Sequence, residues 1–453
     1  MKRFGAILLL VLITVTIGRS QKLWTLEDCI KYALDNNIQV KRQQLYSESA
    51  RNNYNQSMIS VLPGLTAFAN HDFNSGRALN YETYQWENRE FEQGNMGIES
   101  RLKLFGGFQN YNNIQQQKFL LLSRLEDVES QMNDISIRIS AAYFQILLDM
   151  EMVDIAERML EATSNEMEAV RTNFQVGNLP RGRLLEMESQ VAADEYQLIQ
   201  AKNNLNSSYL DLAQIMQLDT NYDFQIAKPG ITDIDESVML ISVDNIFEEA
   251  GKNLPQIRSA EYYLESKERE MAVIRGQQSP RLYLRGLFYS RYSELAVNPL
   301  DGGEYPYSTQ IRDNKYRQLG ISLTIPILDG WTVRNRISNS RISYMDANYQ
   351  LDAVRQDLYA EIHQMHQNAI NAYNRYNYAG KAALAAGEVF DFAKEQFGLG
   401  LISFVDYQYA QSSLFRAESN MAQAKYEYHL CSRIIDFYLG EGFIPGNTPL
   451  SPL

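Results

Sequence analysis

The chain has 453 residues, 45% of them hydrophobic, and a formal net charge of −13 at pH 7. That length and apolar content allow a large buried area, and the acidic balance argues against nucleic acid as a partner. Cys29 and Cys431 are the two cysteines, expected as buried free thiols rather than as a disulfide.

The first element is an address. Lys2 and Arg3 precede the apolar run of residues 5–18, and the small residues Gly18 and Ser20 mark a cleavage site. Residues 1–20 are therefore expected to be a signal peptide. No later stretch is apolar for long enough to span a bilayer as a helix. Any meeting with a membrane is then through strands or a surface helix.

The rest of the chain is one half written twice. Residues 26–49 align with 243–266 at an offset of 217: Ala33, Asn36, Gln39, Glu48 and Ser49 recur as Ala250, Asn253, Gln256, Glu265 and Ser266. Beyond residue 95 the offset is 223, and Gly97, Gly107, Phe174 and Gly177 recur as Gly320, Gly330, Phe397 and Gly400. Such a repeat divides the chain into residues 21–218, a linker at 219–240, a second copy at 241–439 and a tail at 440–453.

Each copy runs helix, strand, loop, strand, long helix, glycine turn, helix. Thr25 is a good N-cap for a first helix reaching about Met58. Pro63 and Pro280 mark the change from helix to strand. Strands are predicted at 64–73, 95–105, 281–292 and 317–328, because apolar and polar residues alternate there. Leu319, Ile321, Leu323, Ile325 and Ile327 share one face; Gln318, Gly320, Ser322 and Thr324 share the other. Met96, Ile98, Leu102 and Leu104 likewise oppose Glu99, Arg101 and Lys103. Aromatic residues gather near the strand ends: Tyr81, Tyr84 and Trp86; Tyr305, Tyr307 and Tyr316; Phe105, Phe108 and Trp331.

Long helices are predicted at 109–174 and 332–397. From Leu125, alternating steps of three and four residues reach Val128, Met132, Ile135, Ile139 and onward to Val170 and Phe174, interrupted only by Asp149 and Thr163. Asn348 and Arg355 interrupt the second seam. An unbroken heptad seam is that of a coiled coil. A helix from Gln109 to Phe174 would be on the order of 100 Å long, which no ordinary globular domain holds. The shorter helices, 179–217 and 402–439, follow the breaks at Gly177 and Gly400.

An apolar outer face, a charged inner face, strands of about ten residues and flanking aromatics fit a membrane barrel. A half-buried sheet in a soluble domain would need a covering layer, and none is legible. A sheet edge cannot stay open in lipid. One chain supplies four strands, and three chains are the smallest set that closes with room for a pore.

At this point the sequence resembles the TolC-type outer-membrane efflux proteins. The resemblance rests on "WTLEDCIKYALDNN", the strand exits "LFGG" and "LDGW", and the turns "FQVG" and "FGLGLISFVD", doubled in one order across the mature chain. It implies a mixed α+β membrane protein. Long antiparallel coiled-coil helices would form a periplasmic tunnel, and four strands per chain would enter a trimeric twelve-stranded barrel in outer-membrane lipid. The linker and the tail would form a belt around the tunnel. The tips, with Val176, Gly177, Asn178, Leu179, Gly400, Leu401, Ile402 and Ser403, would meet a periplasmic adaptor protein serving an inner-membrane pump. Asp406 stands where the family places an acidic gate residue, Tyr409 where a second acid is common, and Arg183 is the counterpart of Asp406 in the first copy. Arg183 and Asp406 are expected to approach each other in a closed tip.

No enzymatic grouping is legible. His363 and His366 lack a third ligand nearby, and "GNLPRGR" lacks the lysine and hydroxyl of a phosphate loop. The sequence thus points to a passive trimeric duct of a tripartite efflux pump for small molecules such as drugs, toxic compounds or metal ions, with no cofactor and no metal. The alternatives are the outer component of a type I protein secretion system, or a periplasmic coiled-coil scaffold that never inserts.

Overall fold

The computed structural model describes residues 23–79, 84–218, 224–229, 239–300 and 302–442. The expected signal peptide, Tyr81 and most of the 219–240 and 440–453 segments lie outside these residues. In chain order the elements are β1 (Leu23–Trp24), α1 (Leu26–Asn36), α2 (Ile38–Ile59), β2 (Gly64–Leu79), β3 (Trp86–Phe105), α3 (Gln109–Gln175) and α4 (Arg181–Met216). Then follow β4 (Gln225–Ile226), α5 (Val243–Asn253), α6 (Pro255–Arg275), β5 (Arg281–Ser293), α7 (Tyr307–Asp313), β6 (Tyr316–Thr324), α8 (Thr332–Gly398) and α9 (Phe404–Tyr438). They form two units. A helical unit takes the residues before Leu45, Asp127–Ile257 and the residues from Ala353 on; a sheet unit takes Leu45–Glu126 and Arg258–Asp352.

The first helix of each copy is broken once. Thr25 caps α1 in a capping box with Asp28. Asn37 then turns out of the helix at φ −61°, ψ 127°. Its amide donates to the Ile215 carbonyl at 3.1 Å and accepts from the Gln39 amide at 2.8 Å. Its repeat counterpart, Leu254, breaks at φ −74°, ψ 129°, because the residue before a proline avoids the helical region. A side-chain cap in one copy and Pro255 in the other thus end the same helix.

Along α3 the predicted seam is the buried stripe. Every residue of the series from Leu125 to Phe174 is buried or half-buried, and in α8 the only exposed member of the corresponding series is Arg355. Ile135, Ile139, Ile146, Leu212, Met216, Cys29 and Ile30 share one apolar cluster. The polar interruptions of the first seam are matched across the α3–α4 hairpin. Asp149 accepts from Ser208 Oγ, and Thr163 Oγ1 donates to Asp194 Oδ2 at 2.6 Å. Both pairs are spaced evenly about the turn at residues 178–179, as one fixed antiparallel register requires. The repeat counterparts of Asp149 and Ser208 are Ala372 and Cys431, both buried, so an apolar pair stands in the second hairpin. Cys29 and Cys431 are both buried and neither is in a disulfide, and burial pushes the Cys431 thiol up to about 12. The short parallel pair β1–β4 brings part of the linker against this unit, where Tyr143 donates to the Ala227 carbonyl at 2.6 Å.

The sheet unit holds four antiparallel strands in the order β2-β3-β5-β6. The two copies meet at β3–β5, with Glu99 opposite Leu287 and Arg101 opposite Arg285. The strands differ in length from those expected on alternation. β2 and β3 continue to Leu79 and back to Trp86, through residues polar on both faces, where alternation carries no signal. β6 stops at Thr324, two residues before Pro326, which has no N–H for the ladder. A bulge between Lys103 and Phe105 takes Leu104 out of the regular register. Among the described residues no helix is long and apolar enough to cross a membrane.

Candidate functional site

Two parts of the chain carry functional geometry: the helix tips and the sheet. At the first tip the Asn178 amide donates to the Asn173 carbonyl at 2.9 Å and the Gly177 amide to the Phe174 carbonyl at 3.0 Å. The second tip repeats this: Leu401 donates to Gln396 at 2.8 Å and Gly400 to Phe397 at 3.0 Å. Both are Schellman endings, which need a left-handed residue, and Gly177 and Gly400 supply it at φ +83° and +73°.

After the turns the tips differ. α4 begins behind Pro180 without a side-chain cap. α9 begins with a capping box in which Ser403 Oγ accepts from the Asp406 amide and the Asp406 carboxylate accepts from the Ser403 amide at 3.2 Å and from its hydroxyl at 2.7 Å. Arg183 reaches across instead. Its Nη2 donates to the Ile402 carbonyl at 3.0 Å, its guanidinium lies 4.1 Å from the Phe397 ring centre, and Glu186 stands 3.8 Å away. Within one chain Arg183 and Asp406 therefore have separate partners: the arginine holds the backbone of the second tip, and the aspartate caps its own helix.

The remaining tip residues divide by exposure. Val176, Asn178, Leu401, Ser403, Asp406 and Tyr409 are exposed, with Leu401 at 70% and Tyr409 at 77%. Leu179 and Ile402 are half-buried, packed on a cluster of Met187, Phe390, Phe397, Tyr407 and Leu414. Phe397 and Tyr407 stack at 4.8 Å. Burial, and then the nearby Glu166 carboxylate, pushes the Tyr407 hydroxyl up to about 12. Burial also raises Glu166, against the pull of Lys394.

Just behind the tips lies a polar cluster that sequence reasoning did not single out. Asp194 accepts from Thr163 Oγ1, from Gln190 at 2.9 Å and from Gln411 at 2.9 Å. It ties α3, α4 and α9 together. Thr163 as an interruption of the seam was the available signal; Gln411 comes from the other copy and gave none.

The sheet presents two unlike faces. Leu65, Phe73, Met96, Ile98, Phe288, Leu319, Ile321 and Leu323 are exposed on one face, with Leu319 at 79% and Ile321 at 71%. The other carries Thr66, Asn70, Glu99, Arg101, Lys103, Arg281, Arg285, Gln318 and Ser322. Aromatic residues stand at the strand ends, among them Trp86, Phe105 and Tyr316, all exposed. The outer edges of β2 and β6 pair with no strand of this chain among the described residues. Nor do these residues hold any group of three or more His, Cys, Asp or Glu arranged to bind a metal ion.

Comparison with known proteins agrees with this geometry. The chain is 20% identical over 312 residues to the outer membrane protein TolC of Escherichia coli (strain K12), covering 67% of this chain and 61% of that one. It thus spans less than two thirds of that relative's length. It is 19% identical over 441 residues to the alkaline protease secretion protein AprF of Pseudomonas aeruginosa, covering 92% and 87% of the two chains. The crystal structure of CusC matches with a TM-score of 0.77 at 13% identity, over 93% of each chain, a likeness of fold. The profile of the outer membrane efflux protein family matches residues 29–216 and 246–441, and the chain belongs to that family.

Proposed function

We propose that this protein is the outer-membrane duct of a tripartite efflux pump: a passive homotrimer that carries small molecules from the periplasm to the exterior. The observation that carries this reading is the sheet, with its exposed apolar face, its polar opposite face and its two open edges. Four strands per chain let β6 of one copy meet β2 of the next antiparallel, so three copies close a barrel with no free edge. A scaffold that never inserted would leave Leu319, Ile321 and Leu323 in water.

The exposed tip groups Val176, Asn178, Leu401 and Ser403 are the docking surface for the periplasmic adaptor of an inner-membrane pump, with Gly177 and Gly400 setting the turns and Leu179 and Ile402 anchoring them. Asp406, Tyr409 and Arg183 form the gate. Three Asp406 side chains around the axis would place negative charge where the duct narrows. Energy comes from the inner-membrane partner. A second reading, a protein-secretion duct, is favoured by the near full-length match to AprF.

Subunit counting tests the reading. Thr66→Cys on β2 and Gln318→Cys on β6, both exposed, would be joined by a flexible bismaleimide in detergent, the native cysteines being buried. A ladder that ends at three chains is expected. One that ends at two, or never ends, contradicts the closed trimer.

A further inference from the structure

The polar face of the sheet is not evenly charged. In register on β3, β5 and β6, Arg101 lies opposite Arg285, Lys103 opposite Tyr283, and Arg281 opposite Thr324. Like charges set directly opposite each other in a sheet repel, and one carboxylate relieves the contact. Glu99 Oε1 accepts from Arg285 Nε at 2.9 Å and from Arg101 Nη2 at 3.1 Å, and its Oε2 accepts from Arg285 Nη2 at 3.1 Å.

Lys103 and Arg281 have no such carboxylate among the described residues. Lys103 Nζ donates to the neutral Asn110 Oδ1 at 3.3 Å. Arg281 Nε is buried and finds no hydrogen-bond partner there. Four cations and one anion thus stand together at the helix-proximal ends of the strands, in a protein whose net charge is −13. Arg101, Lys103 and Tyr283 also line a concavity of about 850 Å³ with Asn52, Asn55 and Gln56 of α2. These neighbours donate and accept hydrogen bonds but carry no charge.

We infer that this belt is an anion-binding collar inside the barrel, which concentrates small anions and favours anionic cargo. The inference rests on the duct reading, because only closure of the sheet turns this face towards a lumen. Three copies then set a ring of excess positive charge against water inside a low-dielectric wall, where field lines are focused and the local counter-ion concentration rises. Rings of Arg and Lys select anions in pores for the same reason. The collar needs no specific fit, so it sorts by charge at its own level of the barrel, in series with the Asp406 ring: there chloride, inorganic phosphate and organic carboxylates are concentrated and organic cations are opposed.

The test is the reversal potential of the purified trimer in planar bilayers under a potassium chloride gradient. Lys103→Gln/Arg281→Gln removes the two cations that lack a carboxylate and leaves the Glu99 bridge intact. The potassium-to-chloride permeability ratio of this variant is expected to rise about threefold or more. Glu99→Gln is expected to move the ratio the other way, so a general loosening of the barrel cannot mimic both results. Added inorganic phosphate is expected to lower the unit current of the native pore more than that of the double variant. Pores whose ratio is unchanged in both variants would overturn the collar alone. A native protein that forms no pore would overturn the duct and the collar with it.

Discussion

Arg183 Nη2 donates to the Ile402 carbonyl at 3.0 Å, so the first residues after one tip hold the backbone of the other. The same guanidinium lies over Phe397. A charge-assisted hydrogen bond contributes about 1.5–3 kcal/mol, and stacking on the ring adds about 0.5–1 kcal/mol. Arg183→Ala is therefore expected to free the second tip and raise single-channel conductance roughly twofold or more. Arg183→Lys should fall between, since an ammonium cannot reproduce the planar fork. Native conductance in both variants would sink this tether.

The Asp194 cluster fixes the helical register behind the tips. Asp194→Ala leaves the buried Gln190 amide without its acceptor, while the Thr163 hydroxyl keeps the Met159 carbonyl and the Gln411 amide keeps Thr163 Oγ1. The expected cost is about 1–3 kcal/mol. Thermal unfolding of this variant beside Glu195→Ala, on the exposed side of the same helix, measures it. Equal midpoints would count against the cluster.

Gly177 and Gly400 have open space where a side-chain methyl group would stand, so an alanine would meet no clash. The cost is backbone conformation alone, about 1–2 kcal/mol at each left-handed position. Each Gly→Ala variant should lose that much stability in denaturant titration, and each Gly→Asn variant less. Full stability of both alanine variants would show that the turns do not require glycine.

Glu166 tests the electrostatics of the tip. Burial raises its folded pKa, partly offset by Lys394, so the folded state holds its proton more tightly than the unfolded chain does. The associated stability is fully present below the ordinary glutamate value of 4.5 and is lost as the pH rises through the raised folded value. Glu166→Gln is expected to melt above the native protein at pH 7, with the gap closing below 4.5. A gap that widens on acidification would reverse the assignment.

The sheet makes its own demand. Ile321 is 71% exposed on the apolar face. An arginine there would cost about 2–4 kcal/mol at the middle of a bilayer. Ile321→Arg should reduce recovery in the membrane fraction, while Ser322→Arg, on the opposite face, should insert normally. Equal insertion of the two would mean that the apolar face does not meet lipid.

How much of this was legible in the sequence depended on whether one residue carried the signal. The seam from Leu125 to Phe174 was legible because heptad spacing depends only on neighbours along one helix. Gly177 and Gly400 were legible because their left-handed turns strongly favour glycine. Pro255 carried a signal for the break in the second copy that the reading of one unbroken first helix passed over, whereas Asn37 carried none as plain for its equivalent. Asn37 caps the next helix by accepting from the Gln39 N–H, and the Ile215 carbonyl that holds its side chain there is a long-range contact. The outer halves of β2 and β3 were hidden because residues such as Asn74, Arg89 and Glu90 are polar on both faces. Arg183 and Asp406 were singled out as a pair, but the structure gives each a nearer partner. A backbone carbonyl such as that of Ile402 leaves no mark in a sequence.

The most direct test of the account is single-channel recording of the purified protein in planar bilayers. A barrel of the kind proposed should give stable, uniform current steps. Protein that stays in the aqueous phase and gives no steps would contradict the account, because the exposed face around Leu319 and Ile321 would then not be a lipid-facing wall.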